Sequence, residues 1–321
     1  MKPVYLTLAA FFFVSVASSQ DFEYSFKEEY KMDLPAELSL SSYDGNIEIL
    51  PSEGNVIQVY YIVKKDVRLM KIDRKELEKE VIVDVDHNRS RLEIRVEPRD
   101  KWTSGWRNQP NVHFKVYVPG RTSCDLKTSD GNVALSGLSG SQRIRTSDGN
   151  INLSGISGDV IGHTSDGNIQ AERIKGSVEV KTSDGDVVLD NLDGRVQSST
   201  SDGNIRISKV KGDIIARTSD GDISFVGVSG SMDAVTSDGN VHGDFALLRN
   251  KATIRTSDGN IEVVVPKSLG LDLNIRGKSL HVPLTNFSGH SEDERIEGAV
   301  NGGGVDVNLV TSDGRVSLTY R

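Results

Sequence analysis

The chain contains only one cysteine, few aromatic residues and no excess of basic charge. A single cysteine, Cys124, excludes an intramolecular disulfide framework and a zinc site built on cysteines. Aromatic residues make up 6% of the 321 residues and hydrophobic residues 36%, which is little material for a thick core. The formal net charge of −8 argues against nucleic acid as a partner, because phosphates need a basic surface.

Long apolar runs are missing after the first twenty residues. Lys2 precedes an apolar run from Val4 to Val16, and small residues follow it. This pattern over residues 1–19 is typical of a secretory signal, and the run is shorter than the roughly 20 residues of a membrane span. We expect cleavage between Ser19 and Gln20, which leaves an exported mature chain without a transmembrane segment. An uncleaved anchor is the alternative. The periplasm, the cell surface and the medium all remain open as locations.

A repeat with a period of 18 residues dominates the middle of the chain. The tetrapeptide Thr-Ser-Asp-Gly occurs nine times, and a degenerate copy lies at Tyr43–Asn46. Seven copies are spaced by 18 residues, and their aspartates are Asp130, Asp148, Asp166, Asp184, Asp202, Asp220 and Asp238. The last two copies place Asp258 and Asp313 farther along the chain. Such a fixed period indicates a repeat architecture.

Each unit contains two short β-type runs and two turns. In the unit 128–145, apolar residues alternate with polar ones, and the same columns recur in the following units. Eighteen residues with two strands and two turns leave no room for a helix. We therefore predict an all-β fold: a right-handed, two-sheet parallel β-solenoid with a β-rich N-terminal cap. One short helix is expected from Asp73 to Glu80.

The predicted organisation has four parts, which are a signal peptide (1–19), an N-terminal β-rich cap (20–120), regular solenoid repeats (121–265) and C-terminal solenoid coils with a cap (266–321). Trp102 and Trp106 lie in a polar loop of the N-terminal part. They are candidate contact residues, or they fold back over the first coil. Cys124 falls in an inward column and is expected to be a buried packing residue.

The repeated polar residues have expected structural roles. Asp-Gly is expected to supply a positive φ and an Asx-turn, and the residue after the glycine, mostly Asn, to hydrogen-bond along the rod. The inward threonines, such as Thr146 and Thr164, are expected to form a ladder of hydroxyl groups.

The motif aspartates form a row about 4.8 Å apart if the coils stack in register, and neighbouring charges then repel each other. One hypothesis is a row of divalent cations bound by Asp130 to Asp238, since calcium prefers oxygen ligands. The other is screening by the residue before each motif, which is basic at Lys127, Arg145, His163, Lys181, Arg217 and Arg255.

Several features together resemble a known bacterial family. They are the signal peptide, the N-terminal β region, the Val118-Pro119 step, the Ser-Asp-Gly-Asn coils, and Asn301–Gly304 followed by Thr-Ser-Asp-Gly-Arg. The chain is similar to the bacterial putative adhesins of domain of unknown function 4097 over nearly its whole mature length. The resemblance implies an exported β-solenoid and brings no catalytic residues.

Motifs of enzyme chemistry are hard to find in the sequence. The histidines have no metal-ligand spacing, no G-x-S-x-G is present, and no glycine-rich phosphate loop follows a strand. We predict a non-enzymatic adhesin or envelope scaffold without a cofactor, whose partner is an unknown envelope protein or a glycan. The alternatives are a calcium-stabilised surface repeat protein and a polysaccharide lyase or hydrolase. If the protein is such an enzyme, the candidate acids on the outward face are Glu179, Asp213 and Asp233, with Arg143 nearby. A glycan cleft normally also has exposed aromatic residues, and these columns lack them.

Overall fold

The computed structural model describes residues 22–99, 109–267 and 269–321. These residues form an all-β solenoid with one short helix, as predicted. The proposed signal segment, Trp102 and Trp106 lie outside the described residues. No helix within the described ranges is long and apolar enough to cross a bilayer.

The strands follow one another along the chain in three groups. The N-terminal elements are β1 (Phe26–Lys31), β2 (Ala36–Ser42), β3 (Ile47–Ser52), β4 (Val56–Lys65), β5 (Arg68–Leu69), α1 (Arg74–Glu80), β6 (Val81–His87), β7 (Arg91–Pro98), β8 (Asn111–Pro119) and β9 (Thr122–Lys127). The central strands are β10 (Val133–Ser136), β11 (Gln142–Arg145), β12 (Ile151–Ser154), β13 (Val160–His163), β14 (Ile169–Lys175), β15 (Val178–Lys181), β16 (Val187–Asp193), β17 (Val196–Ser199), β18 (Ile205–Ser208) and β19 (Ile214–Arg217). The last strands are β20 (Ile223–Val235), β21 (Val241–Arg255), β22 (Ile261–Val265), β23 (Leu271–Arg276), β24 (Ser279–His281), β25 (Phe287–Ser291), β26 (Arg295–Val300), β27 (Val305–Val310) and β28 (Arg315–Tyr320).

The strands stack in two sheets that share the long strands β20 and β21. Sheet A runs in the order β1, β4, β8, β3, β10, β12, β14, β16, β18, β20, β21, β22, β28, β24. Sheet B runs in the order β6, β7, β2, β9, β11, β13, β15, β17, β19, β20, β21, β27, β23, β26, β25. Central strands pair in parallel with the strand 18 residues away, and the antiparallel pairs lie near the two ends. The outer surface of sheet A is named face A, and that of sheet B is named face B.

A thin aliphatic core separates the sheets. The alternation that the sequence predicts is present, because the inward columns are buried in every central coil. Cys124 lies in one of these columns between Leu38 and Gln142 and is 3% exposed, so burial raises the pKa of its thiol. This position confirms it as a packing residue.

The motif glycine serves close stacking, and the prediction that it supplies a positive φ was wrong. Gly185 and the other glycines of the nine TSDG copies do not have positive φ, but a Cβ on Gly185 would overlap the carbonyl oxygen of Gly167 in the coil before. Positive φ values occur instead in the second turn of each coil, for example at Gly176 and Gly194. The TSDG turn therefore needs glycine because two backbones meet there.

The motif threonine, rather than the aspartate, organises this turn. The buried Thr182 hydroxyl lies 2.9 Å from the carbonyl oxygens of both Ser165 and Gly167, and it accepts the N–H of Gly185 at 3.3 Å. The same pattern recurs coil after coil, so the threonines bond to the preceding backbone and not to one another. Among the described residues, no motif carboxylate accepts a backbone N–H, as an Asx-turn would require; the N–H groups of Gly185 and Asp186 bond instead to Thr182 and Asn168.

Helix α1 packs at the N-terminal end. The helix begins after Asp73, in agreement with the prediction; Asp73 caps it, and Glu76 completes a capping box. Its Leu77 is buried, and Arg74 donates to Glu28 at 3.1 Å. Glu28 also accepts the hydroxyls of Tyr30 and Tyr61 at 2.6 and 3.0 Å. This network joins the helix to the first strand of sheet A.

The Asn301–Gly304 motif makes the turn between β26 and β27. All four residues have positive φ, between 50° and 135°, which explains three consecutive glycines. The turn converts an antiparallel strand into a parallel one, so the motif has a structural role.

Candidate functional site

The motif carboxylates form one exposed ridge that is longer than predicted. Gly131 contacts Gly45, and Gly314 contacts Gly259, which places Asp44 and Asp313 at the two ends of the ridge. Its members are Asp44, Asp130, Asp148, Asp166, Asp184, Asp202, Asp220, Asp238, Asp258 and Asp313. Partial burial and the charge of Asp130 together raise the pKa of Asp44, as expected for repelling neighbours. No group of three or more His, Cys, Asp or Glu side chains in the described residues is placed to hold a metal ion.

The side chains of the basic column lie close to acids that do not belong to the ridge. Arg145 lies 4.0 Å from Asp125, His163 3.9 Å from Glu179, and Arg217 3.6 Å from Asp233. These acids all lie on face B and not on the ridge. Direct pairing between the column and Asp130 to Asp238 is therefore not what the structure shows.

A ladder of side-chain oxygens runs along the other side of the TSDG turn. In each coil the Oδ1 of the residue after the motif glycine accepts the backbone N–H of its equivalent in the next coil, at 2.7–3.0 Å. Asp186 and Asp222 occupy this position in two coils and accept the N–H just as asparagine does, because the hydrogen bond requires only an acceptor oxygen. The predicted stacking of these side chains is confirmed.

His113 on β8 begins this ladder, which sequence reasoning missed. Its Nδ1 accepts the N–H of Asn46 at 2.9 Å. Burial, with Lys64 nearby, lowers the pKa of His113, so the neutral ring that can accept is favoured. His113 left no periodic signal in the sequence, because it is a different residue type from the other members of the ladder and lies in a strand outside the repeats.

Face B carries two grooves of about 450 and 350 Å³. Arg143 and Asp125 line the first groove, and Asp213 and Asp233 line the second. The structure thus brings two of the outward acids together at one groove. Glu179 lies between the grooves, opposite Ile161 and Gln197 in the neighbouring strands.

Face A also carries two grooves. One of them adjoins partly exposed aromatic residues, a residue type that the outward columns of the repeats lack. Near the N-terminal end, Phe22 and Lys115 line a groove of about 440 Å³. Over the central coils, Asn152 and Gln170 line a groove of about 400 Å³. The aromatic signal was visible in the sequence as the clustering of aromatic residues before residue 120, but strand pairing was needed to bring them together.

Comparisons with known proteins identify a family for this chain. The family model described as Toastrack DUF4097 matches residues 36–319. A crystal structure titled "putative cell adhesion protein", from Clostridium sporogenes ATCC 15579, is 12% identical over 92% of this chain and 99% of that chain, with a TM-score of 0.24. Another, titled "putative adhesin", from Bacteroides fragilis NCTC 9343, is 11% identical over 92% of this chain and 96% of that chain, with a TM-score of 0.31. No curated protein matches the chain.

Proposed function

The chain belongs to the Toastrack DUF4097 family, and we propose that it is an exported, non-enzymatic binding or scaffold module of the bacterial envelope, in the manner of an adhesin. The observation that carries the proposal is the stacking itself. Glycine contacts, threonine bonds and the oxygen ladder repeat through the central coils, which gives a stiff rod with long, regular outer faces. Such faces suit extended contact with a partner better than the enclosure of one small substrate.

The proposal includes export by the segment 1–19 and a division into a cap (20–120), repeats (121–265) and C-terminal coils (266–321). Export is tested by producing the full chain in a bacterial host and measuring the mass of the recovered protein. We expect the mass of a chain that begins at Gln20, and we expect this protein to be recovered from the envelope or the medium. A protein of full mass in the cytoplasm contradicts the proposal.

Surface display and a periplasmic location are separated by protease treatment of intact cells. An adhesin is digested from outside, whereas a periplasmic scaffold is digested only after the outer envelope is opened. Protection in both conditions, with full-length mass, argues against either location.

Polysaccharide cleavage is the second candidate function, and the groove lined by Asp213 and Asp233 is what favours it. The test is the release of reducing ends from a polysaccharide panel by the purified protein. Activity that disappears in both Asp213→Asn and Asp233→Asn variants establishes an enzyme. Activity absent from the wild-type protein supports the non-enzymatic proposal.

Calcium stabilisation of the acidic ridge is tested by thermal melting at fixed ionic strength, with calcium or with a chelator. Because the carboxylates of the described residues repeat singly and do not converge, we expect melting to be nearly insensitive to calcium. A rise of many degrees with calcium establishes the cation row Asp130 to Asp238.

A further inference from the structure

Four aromatic side chains form a contiguous patch on face A at the N-terminal end. Tyr60 on β4 lies at its centre, with ring centroids 5.1 Å from Phe22, 5.0 Å from Tyr24 and 5.8 Å from Tyr117. Tyr24 is 39% exposed, and the other three rings are partly exposed. Partly exposed rings in contact with one another offer a ready-made stacking surface.

The two lysines that lie over these rings are paired with glutamates of the same chain. Lys27 lies over the Tyr60 ring at 5.6 Å and binds Glu29 at 2.7 Å. Lys115 lies over the Phe22 ring at 4.8 Å and binds Glu48 at 3.0 Å. Lys27 and Lys115 therefore both contact a ring and have a carboxylate partner within this chain.

The same row of face A continues from the aromatic patch to an amide-lined groove. Strand register places Tyr60 beside Lys115, Lys115 beside Glu48, and then Ala134, Asn152 and Gln170 in successive strands. From β4 to β14 this row spans about 24 Å, since neighbouring strands lie about 4.8 Å apart. Within the described part of the chain, the side-chain amides of Asn152 and Gln170 form no hydrogen bond, so their donors and acceptors face solvent.

This row points to a ligand with both apolar surfaces and many hydroxyl groups. The C–H face of a sugar ring stacks on an aromatic ring, and sugar hydroxyls need donors and acceptors together, which a primary amide supplies. A charged polymer needs unpaired counter-charges, and Lys27 and Lys115 are already engaged. A chain of linked sugars can also extend along the length of the row.

We propose that face A, from the aromatic patch to the groove at Asn152 and Gln170, binds an extended neutral polysaccharide. The proposal rests on the proposed function as an envelope binding module and names the class of its ligand. Phe22, Tyr24, Tyr60 and Tyr117 form the stacking end of the surface. Asn152 and Gln170 bind hydroxyl groups several sugar units away.

The test is affinity electrophoresis of the purified mature chain in native gels that contain hydroxyethyl cellulose, barley β-glucan, galactomannan or, as an anionic comparison, polygalacturonate. We expect retardation in at least one neutral gel that persists in high salt. The double variant Tyr24→Ala and Tyr60→Ala should weaken the affinity at least tenfold, and Asn152→Ala with Gln170→Ala severalfold. The matched control is Ile161→Ala with Ile215→Ala on face B, which should bind as the wild type does.

Melting temperatures distinguish a lost binding surface from a lost fold. Tyr24 and the two amides are on the outer surface, so their variants should melt close to the wild type. Gln170→Ala and Tyr24→Ala alone serve as milder variants if a double variant unfolds.

Three results overturn the proposal: no retardation in any neutral gel, equal retardation of wild-type and face A variants, or retardation only in polygalacturonate that disappears with salt. Export and envelope location are measured separately in cells. If they hold while the gels show no binding, the polysaccharide inference fails and the proposed function stands.

Discussion

In the central coils every turn repeats the same contacts with the coil before it, whereas the N-terminal region enters the same two sheets through contacts that occur once. A central coil stacks by a glycine contact, a threonine hydroxyl and a side-chain oxygen. The N-terminal region uses stacked rings, such as Phe26 on Tyr61 at 4.3 Å, and the Arg74–Glu28 network. Repetition favours stacking along the rod, and unique contacts are found where the rod ends.

This difference also indicates where to look for function. A position whose neighbours above and below are equivalent is constrained by stacking, so its chemistry is largely structural. The partly exposed aromatic patch lies where the repetition stops, so stacking between equivalent coils does not account for it. Substitutions at Gly185, Thr182 and Asn150 test the central coils, and one at His113 tests the N-terminal region. The expected effects decrease in the order Gly185, Thr182, His113 and Asn150.

Gly185→Ala should have the largest effect, because its Cβ would overlap a backbone carbonyl of the preceding coil that cannot move without separating the coils. We expect a loss of at least about 3 kcal/mol in the free energy of unfolding, or no folded protein. Denaturant unfolding measures it.

Gly162→Ala is the matched control. A Cβ at Gly162 meets Val180 at 3.5 Å, an ordinary contact, and its φ is not positive. This variant should be neutral or slightly more stable. If both alanines are tolerated equally, close stacking is not the reason for the motif glycine.

Thr182→Val should cost about 2 kcal/mol. The substitution keeps the shape of a fully buried side chain but leaves two carbonyl oxygens and one N–H without the hydroxyl partner. Thr182→Ser keeps the hydroxyl and should lose less. A larger loss for Thr182→Ser than for Thr182→Val would show that packing of the methyl group, and not the hydroxyl, stabilises the turn.

The sequence predicted the coils, the inward columns, the short helix and the stacking of the oxygen side chains, because each leaves a periodic or local signal. It wrongly assigned a positive φ to Gly185 and Asx-turns to the motif aspartates, since the contacts between coils that shape this turn are visible only in three dimensions. His113 and the pairing of Tyr60 with Lys115 depend on contacts between strands far apart in the chain. The aromatic patch could not be located for the same reason.

His113, which lies on β8 at the N-terminal start of the oxygen ladder, should make the free energy of unfolding depend on pH. Its pKa is lowered in the folded protein, so the unfolded chain takes up the proton first as the pH falls below about 6.5. The stabilising contribution of the neutral ring is therefore complete above that pH and is lost progressively as the pH falls below it. Melting between about pH 7.5 and 5 measures the loss.

His113→Gln is the control for this pH dependence, because it keeps an acceptor near the N–H of Asn46 and does not titrate. The variant should lose less stability on acidification than the wild type does. Identical pH profiles for the two proteins would show that His113 does not couple protonation to folding.

Asn150→Ala and Asn150→Asp test the oxygen ladder with the smallest expected effects. Alanine removes the Oδ1 that accepts the N–H of Asn168 at 2.8 Å, and water can replace part of this bond at a partly exposed site. We expect a loss of about 0.5–1 kcal/mol for alanine and less for aspartate, which keeps the acceptor as Asp186 and Asp222 do. Denaturant unfolding of the two variants side by side measures the difference. If aspartate destabilises as much as alanine, the donors of the amide, rather than its oxygen, connect the coils at this position.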